Sequence, residues 1–425
     1  MMKRTLGVLL LLLALGVTSF AQNVELRFTW YSDGAEGDIM RDLLDRFEAE
    51  NPGITVVLDV VPYQQILDNL PVQVQAGEGP DLARLTNFPG LRGYYLDLRP
   101  YLSDPDAFEA AFPAPVLASF RAEGDETGLF GFPDLVSVTG PYINRTLFEQ
   151  AGIPVPSDSG GPVSWEEWTE ATRQVAEATG TPYAIAIDRT GHRIAGPAMS
   201  MCADLINDDG DFTIDTPGFR QFAELLGSWH EEGITPREVW LGSGGTYAAA
   251  ADFFDNGSLV MYMSGSWQIG RFSRNIGDAF DWEVVPNPAG DCGSTGIAGG
   301  AGIVGIGDTE HPEEVAKVME FLSQPDVYGE YSARALFLPA HATVAAEGVD
   351  FQTDNEDVKA ALNTFVAEVP KLTQDALALN YHPFAFVYFT SARDRLTQWM
   401  VGELTFDEAI ERIQQDIDTA VAGAS

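Results

Sequence analysis

The first clear period in the chain is two. In Val24-Glu25-Leu26-Arg27-Phe28-Thr29-Trp30 every second residue is apolar, which predicts a half-buried strand. From Asp38 to Glu50 the period lengthens. Ile39, Leu43, Leu44 and Phe47 share one helical face, and Asn51-Pro52-Gly53 stops the helix. Ile54 to Val61 is a β-branched run and reads as a second strand. Gln65 to Ala76 reads as a helix that Pro71 should kink or restart. Gly77-Glu78-Gly79-Pro80 turns the chain into a short strand, Asp81 to Leu85. Strand–helix–strand–helix order predicts a mostly parallel sheet with helices on its faces.

The alternation returns further on. Ser164-Trp165-Glu166-Glu167 is a capping box opening a helix that ends near Gly180, and Tyr183 to Ile187 is a strand. Phe219, Phe222, Leu225, Leu226 and Trp229 mark a helix face. Strands follow at Ser258–Met263 and Glu283–Val285, and Gly302 to Gly307 alternates like a strand. Pro312 to Leu322 reads as a helix. Thr405-Phe406-Asp407-Glu408 is a second capping box, opening a final helix with Ile410, Ile413, Ile417 and Val421 on its buried stripe. No fixed repeat and no low-complexity tract appears. Pro154 to Pro162 is the only linker-like stretch.

The chain has 425 residues, 45% of them apolar, with 24 Lys+Arg against 63 Asp+Glu. This predicts a globular protein of more than one domain. A net charge of −39 argues against nucleic acid, which needs a basic stripe, and against anionic membrane surfaces. Met1-Met2-Lys3-Arg4, an apolar run from Leu6 to Val17 and Ser19-Phe20-Ala21 describe a secretory leader over residues 1–21, cut after Ala21. The run is too short to span a bilayer comfortably. A periplasmic, soluble mature protein is expected. Export leads to a disulfide-permissive compartment, so Cys202 and Cys292 are candidates for a bridge, with two separate buried thiols as the alternative.

Signatures of catalysis and cofactor binding fail one by one. Gly300-Ala301-Gly302-Ile303-Val304-Gly305 spells a dinucleotide fingerprint, but it alternates like a strand instead of opening a helix. His230-Glu231-Glu232-Gly233-Ile234 lacks the second histidine of a zinc-protease helix. Asn207-Asp208-Asp209-Gly210 lacks the carboxylates of a calcium loop and reads as a polar turn. No Gly-x-Ser-x-Gly elbow exists. No catalytic residue, metal or cofactor is expected. A carboxylate pair for glycoside cleavage stays open, because spacing in space is unreadable.

What remains are aromatic and small polar residues placed where strands end. Trp30-Tyr31-Ser32-Asp33-Gly34, Thr86-Asn87 and Ser264-Gly265-Ser266-Trp267-Gln268 each follow a strand. Tyr381-His382-Pro383-Phe384, with Phe386, Tyr388 and Phe389, precedes the last helices. Ligands of open α/β sheets sit at the carboxyl ends of strands. Flat aromatic faces beside Asp, Asn, Gln and Arg suit a sugar, whose C–H faces pack while its hydroxyls hydrogen-bond.

In that order the motifs resemble bacterial extracellular solute-binding proteins, the receptors of ABC importers. Phe47 to Val56 is similar to the family's first helix–strand junction and Gly77 to Leu82 to its third-strand entry. Phe132-Pro133 through Phe148 resembles its first interlobe crossing. Met261 to Trp267 resembles its Gly-x-Trp loop, and Pro286 to Gly290 the loop after its return crossing. Gly296 to Gly302 also fits. The resemblance implies a type II periplasmic-binding-protein-like fold, two α/β lobes joined by a multi-crossing hinge. It implies lobe 1 at residues 22–137 and 285–335, and lobe 2 at residues 138–284 and 336–425. It puts Trp30, Asp33, Tyr63, Asn87, Trp267, Gly299 and Gly300 at the cleft. Loop placement adds Asp188, His192 and Trp240, and the late aromatic cluster adds Tyr388.

The implied function is binding without catalysis: a monomer that clamps a sugar, mono- or oligosaccharide, and delivers it to a membrane permease. Receptors for a polyol or a polyamine, and a secreted carbohydrate hydrolase, are the alternatives. Phosphate-like anions fit poorly with so few basic residues. On the implied lobes, a Cys202–Cys292 bridge would have to lie near the hinge or it would restrict closure.

Overall fold

The alternating segment forms strand β1 (Val24–Trp30), and its inward residues Leu26, Phe28 and Trp30 are fully buried. The computed structural model describes residues 23–122, 124–242 and 246–424. The expected leader and its cut after Ala21 lie outside the described residues. Helix α1 (Glu36–Glu50) packs Ile39, Leu43, Leu44 and Phe47 inward. Strand β2 (Ile54–Val60) pairs parallel with β1, from Val24 opposite Ile54 to Trp30 opposite Val60. Helix α2 (Tyr63–Gln75) runs as one helix through Pro71, so no separate helix starts there. Ile66, Leu70 and Val74 are buried along one side of it, and this packing spans the turns on both sides of the proline.

Strand β3 (Leu82–Leu85) runs parallel to β1, and β4 (Gly131–Pro133) lies at the far edge of the same sheet. The second sheet is built from β5 (Ser137–Asn144), β6 (Tyr183–Ile187), β7 (Leu259–Gly265) and β8 (Trp282–Val284). A two-stranded hairpin, β9 (Ala289–Gly290) and β10 (Gly293–Ser294), precedes β11 (Ala298–Gly299), which pairs with β5. The chain then returns to the first sheet as β12 (Gly302–Gly305), antiparallel to both β3 and β4. The sheet orders are β2-β1-β3-β12-β4 and β11-β5-β7-β6, with β8 also on β5. The glycine-rich fingerprint is therefore a buried strand, as its alternation implies. Both capping boxes form: Glu167 N–H donates to Ser164 Oγ at 3.1 Å, and Glu408 N–H to Thr405 Oγ1 at 3.2 Å.

Each sheet has its own hydrophobic core. The chain changes core near residue 136, near residue 300 and between residues 336 and 351. The crossings lie side by side. Val136 N–H donates to the Leu338 carbonyl at 3.0 Å, and Asp134 N–H to that of Ala301 at 3.0 Å. A Cβ at Gly300 would stand 2.6 Å from the Leu135 carbonyl oxygen, so the adjacent crossing leaves no room there for a side chain. Two expected boundaries move. Residues 285–299 stay with the second core, because β11 pairs with β5 and Val285 and Ile297 pack there. The helix Ala342–Glu347 stays with the first core through Val344. The Pro154–Pro162 stretch links no lobes. Asp158 within it pairs with Arg145 at 2.7 Å, inside the second lobe.

Cys202 and Cys292 are bridged, with Cα atoms 5.1 Å apart. The bridge is not at the hinge. Cys202 follows helix α3 (Gly191–Ser200), and Cys292 sits in the turn between β9 and β10, so it closes a loop within the second lobe. Both cysteines are exposed, unlike the buried thiols of the alternative reading. Among the described residues no helix is long and apolar enough to cross a membrane.

Candidate functional site

The carboxyl ends of β1, β3, β6 and β7 point their following loops at a cavity between the lobes, where α/β sheets receive ligands. The cavity holds about 930 Å³ of atom-free space, open solvent at its mouth included. The first lobe contributes Tyr31 and Asp33 after β1, Tyr63 and Leu67 from α2, and Arg84 and Thr86 from the end of β3. The second contributes Thr190, His192 and Arg193 around the start of α3, Tyr247, and Trp267 after β7. Gly299 and Gly300 line it at a crossing. Helix α4 (Ala385–Met400) presents Phe386, Phe389, Thr390 and Arg393, spaced i, i+3, i+4 and i+7 on one face.

On the first lobe Arg84 organises the wall. Its side chain is 1% exposed. Nε donates to Asp134 Oδ2 at 2.9 Å and Nη1 to the Tyr31 carbonyl at 2.8 Å. Glu36 stands 3.6 Å away, and the Trp30 and Tyr31 rings lie 4.7 and 4.4 Å from the guanidinium carbon. Burial opposes the positive charge, but Asp134, backed by Glu36, outweighs it and holds the guanidinium protonated. Glu36 also accepts from the backbone N–H groups of Asp33 and Gly34, at 2.5 and 2.8 Å, which shapes the loop carrying Asp33. Burial first, then Glu36, pushes the Asp33 carboxyl up to about 7. Arg84 and Arg271 pull the other way, and Asp188 adds to the rise.

That shift has a sign that can be measured. A carboxyl raised on folding stabilises the fold below its unfolded value, near 3.8, and the contribution is lost as pH rises through about 7. Asp33→Asn stays neutral at every pH. Relative to the unsubstituted chain it should be no more stable at pH 4 and clearly more stable at pH 8, read by urea unfolding. A stability difference that is the same at both pH values would contradict the burial of a charge at Asp33.

On the second lobe Asp188 plays the part that Asp134 plays on the first. It is fully buried and accepts from Arg193 Nε at 3.0 Å, Ala250 N–H at 3.2 Å, Ser264 Oγ at 3.3 Å and the Tyr262 hydroxyl. Arg193 in turn lies 4.4 Å over the Trp267 ring, and its Nη1 is 2.7 Å from His192 Nδ1. Burial, then the Arg193 charge, holds His192 well below the ordinary imidazole value, so it is neutral and Nδ1 accepts. The Trp267 ring folds back over Gly265, where a Cβ would fall 2.0 Å from a ring carbon. The lobes touch across the mouth: Tyr247 N–H donates to Gln64 Oε1 at 3.1 Å, and the Tyr63 and Tyr247 rings lie 5.5 Å apart.

Of the residues expected at the cleft, Asp33, Tyr63, His192, Trp267, Gly299 and Gly300 line the cavity. The structure puts the others elsewhere. Trp30 points into the first core, edge-on to Phe28 and Tyr331. Asn87 turns back to accept from Gly90 N–H at 3.0 Å. Asp188 lies behind the wall, holding Arg193. Trp240 is buried and donates Nε1 to the Ile187 carbonyl at 3.1 Å. Tyr388 is buried against Phe212, on the face of α4 turned from the cleft. Arg84, Arg193, Tyr247, Asn380 and Arg393 line the cavity without having been singled out in the sequence. Two of them left a trace: Arg84 is a charge inside the apolar strand Leu82–Leu85, and Arg193 comes five residues after Asp188 just past a strand.

Comparison with known proteins agrees with this geometry. A family model for the bacterial extracellular solute-binding protein matches residues 31–329. A binding protein of Brucella abortus is 27% identical over 371 residues, covering 83% of this chain and 85% of that protein. An arabinooligosaccharide-binding protein of Halalkalibacterium halodurans is 26% identical over 316 residues, 72% of this chain and 67% of its own length. The GacH receptor of Streptomyces glaucescens, solved unliganded and with acarbose, matches with a TM-score of 0.74 at 21% identity, covering 92% of this chain and 97% of that one. Maltose-bound MalE3 of T. maritima matches at 0.73 and 18% identity, covering 93% and 100%. The fold is of the type II periplasmic binding protein kind.

Proposed function

The chain belongs to the bacterial extracellular solute-binding protein family, and from that premise we propose that it is the receptor of an ABC importer. After export to the periplasm as a monomer, it binds a sugar, mono- or oligosaccharide, between its lobes and delivers it to a membrane permease. The observation that carries this reading is the cavity itself. Both lobes wall it, and it mixes aromatic rings with arginine, asparagine and carboxylate groups suited to hydroxyls. A ligand that touches both walls binds the closed arrangement better than an open one, and only such differential affinity moves the equilibrium. Neighbours solved with acarbose and with maltose, and a relative named for arabinooligosaccharide, support a carbohydrate.

The alternatives fit the wall less well. A polyamine would face the charges of Arg84, Arg193 and Arg393. Hydrolysis of a glycoside needs a pair of carboxylates, and among the described lining residues Asp33 is the only one. A polyol shares the sugar's hydroxyl chemistry and is separated from it only by measurement. Thermal unfolding across a panel of sugars, polyols and polyamines should give stabilisation by a sugar with no products formed. Cleavage of an oligosaccharide, or stabilisation by polyamines alone, would defeat the reading. With a binding sugar in hand, Trp267→Ala should weaken affinity by about 1–3 kcal/mol in calorimetric titration, through lost ring contact and loss of the surface under Arg193. Unchanged affinity in the folded variant would make Trp267 a structural residue.

A further inference from the structure

The walls of the cleft hold hydrogen-bond donors that the protein leaves unused. Arg84 uses Nε for Asp134 and Nη1 for the Tyr31 carbonyl, and Arg193 uses Nε for Asp188 and Nη1 for His192. Among the described residues, Nη2 of neither guanidinium has a hydrogen-bond partner, though both side chains line the cavity. Asn380 is 4% exposed, lines the same cavity, and its Nδ2 is buried without a partner. Against these donors stands, among the described lining residues, a single carboxylate, Asp33.

This balance separates two kinds of sugar. A hydroxyl accepts and donates at once, so each one that satisfies an arginine brings a proton that needs an acceptor of its own. A carboxylate only accepts, and it matches a guanidinium in shape and charge. The charges are also arranged for it. Arg84 comes from the first lobe and Arg193 from the second, while their counterions Asp134 and Asp188 lie behind the walls and do not line the cavity. In a chain with 24 Lys+Arg against 63 Asp+Glu, tertiary structure gathers three arginines, Arg393 being the third, at one cavity. The expectation that anions fit poorly concerned the chain as a whole; at this cavity arginines line the wall, while their partners Asp134, Glu36, Asp188 and Asp394 are not among the described lining residues.

We propose that the solute is an acidic sugar of the uronate type, its carboxylate received between Arg84 and Arg193 and so bridging the two lobes. The proposal rests on the carbohydrate reading and narrows it. Behind the wall Arg193 is paired with Asp188, and Arg84 with both Asp134 and Glu36, so the site is set for a single carboxylate and disfavours multiply charged anions.

Calorimetric titration of the full mature chain with D-galacturonate and D-glucuronate, beside D-galactose and D-glucose, tests it. A digalacturonate arm distinguishes a free uronate from the terminal unit of an acidic oligosaccharide. At least one uronate ligand should bind tenfold or more tightly than its neutral counterpart, and added salt should weaken it. Arg193→Gln should reduce that preference to less than threefold. Asp33→Asn, which removes the one lining carboxylate, should strengthen uronate binding and supplies the test if Arg193→Gln fails to fold. A neutral hexose that binds as tightly as its uronate would overturn the proposal and leave the carbohydrate reading standing. Binding of no sugar at all, with a different solute recovered from the purified protein, would remove both.

Discussion

Arg84→Ala is expected to destabilise the protein by about 3–5 kcal/mol, the cost of breaking a buried ion pair by deleting one partner. The reason is what it leaves behind. Asp134 is 1% exposed and Glu36 3%, so without the guanidinium two carboxylates would remain in the first core with no cation beside them. The Tyr31 carbonyl would lose its donor, and the Trp30 and Tyr31 rings would lose the plate between them. Against a typical stability of about 5–15 kcal/mol, the loss should show plainly in guanidinium unfolding. Solute affinity should fall as well, because Arg84 is part of the cleft wall. The double variant Arg84→Ala/Asp134→Ala should recover part of the stability but none of the affinity. If the single variant unfolds within about 1 kcal/mol of the unsubstituted chain, the pair is not the keystone described above.

The second large effect is expected from Cys202→Ser/Cys292→Ser. The bridge spans a sequence separation of 90 residues. The chain-entropy model gives a loss of about 4–5 kcal/mol for a loop of that length, and strain or residual unfolded structure brings measured losses into a range of about 2–5 kcal/mol. Placement makes the prediction specific. The bridge joins the end of α3 to the β9–β10 hairpin inside the second lobe and crosses no hinge. Stability should therefore drop while solute affinity, measured well below the melting temperature, changes by less than about threefold, as for distant independent sites. A large change in affinity with little change in stability would mean that the bridge sets the position of Arg193 and does not act on the unfolded chain.

The elements of the fold were legible wherever a periodic pattern met a stop signal. β1, α1, β2 and the capping-box helices appear where alternation, a helical stripe or a Ser/Thr-x-x-Glu start predicts them, because these signals act within a few residues. Pro71 starts no separate helix, because Ile66, Leu70 and Val74 pack on both sides of it and hold one helix together. The lobe boundaries at 285 and 336 misled because the pairing of β11 with β5 and the packing of Val344 against the first core are non-local.

The site divides along the same line. Loops after strands could be read from the chain, and Asp33 and Trp267 fall at the cavity as those loops imply, while Gly299 falls there as the family resemblance implies. Side-chain direction could not. Trp30 and Asp33 lie three residues apart, yet one enters the core and the other faces the cleft. In the late aromatic cluster Tyr388 was singled out, while the turn of α4 sends Phe386 and Phe389 to the cavity and Tyr388 inward.

The sequence by itself determined a two-lobed α/β protein of the solute-binding family and the order of its strands, helices and ligand-facing loops. These depend on local periodicity and on motif order, which survive without coordinates. Only the tertiary structure decided that Arg84 and Arg193 line one cavity from different lobes, that their counterions are not among its described lining residues, and that the disulfide stays within one lobe. Residues that are distant along the chain come together there, and hydrogen bonding and desolvation act through distance in space.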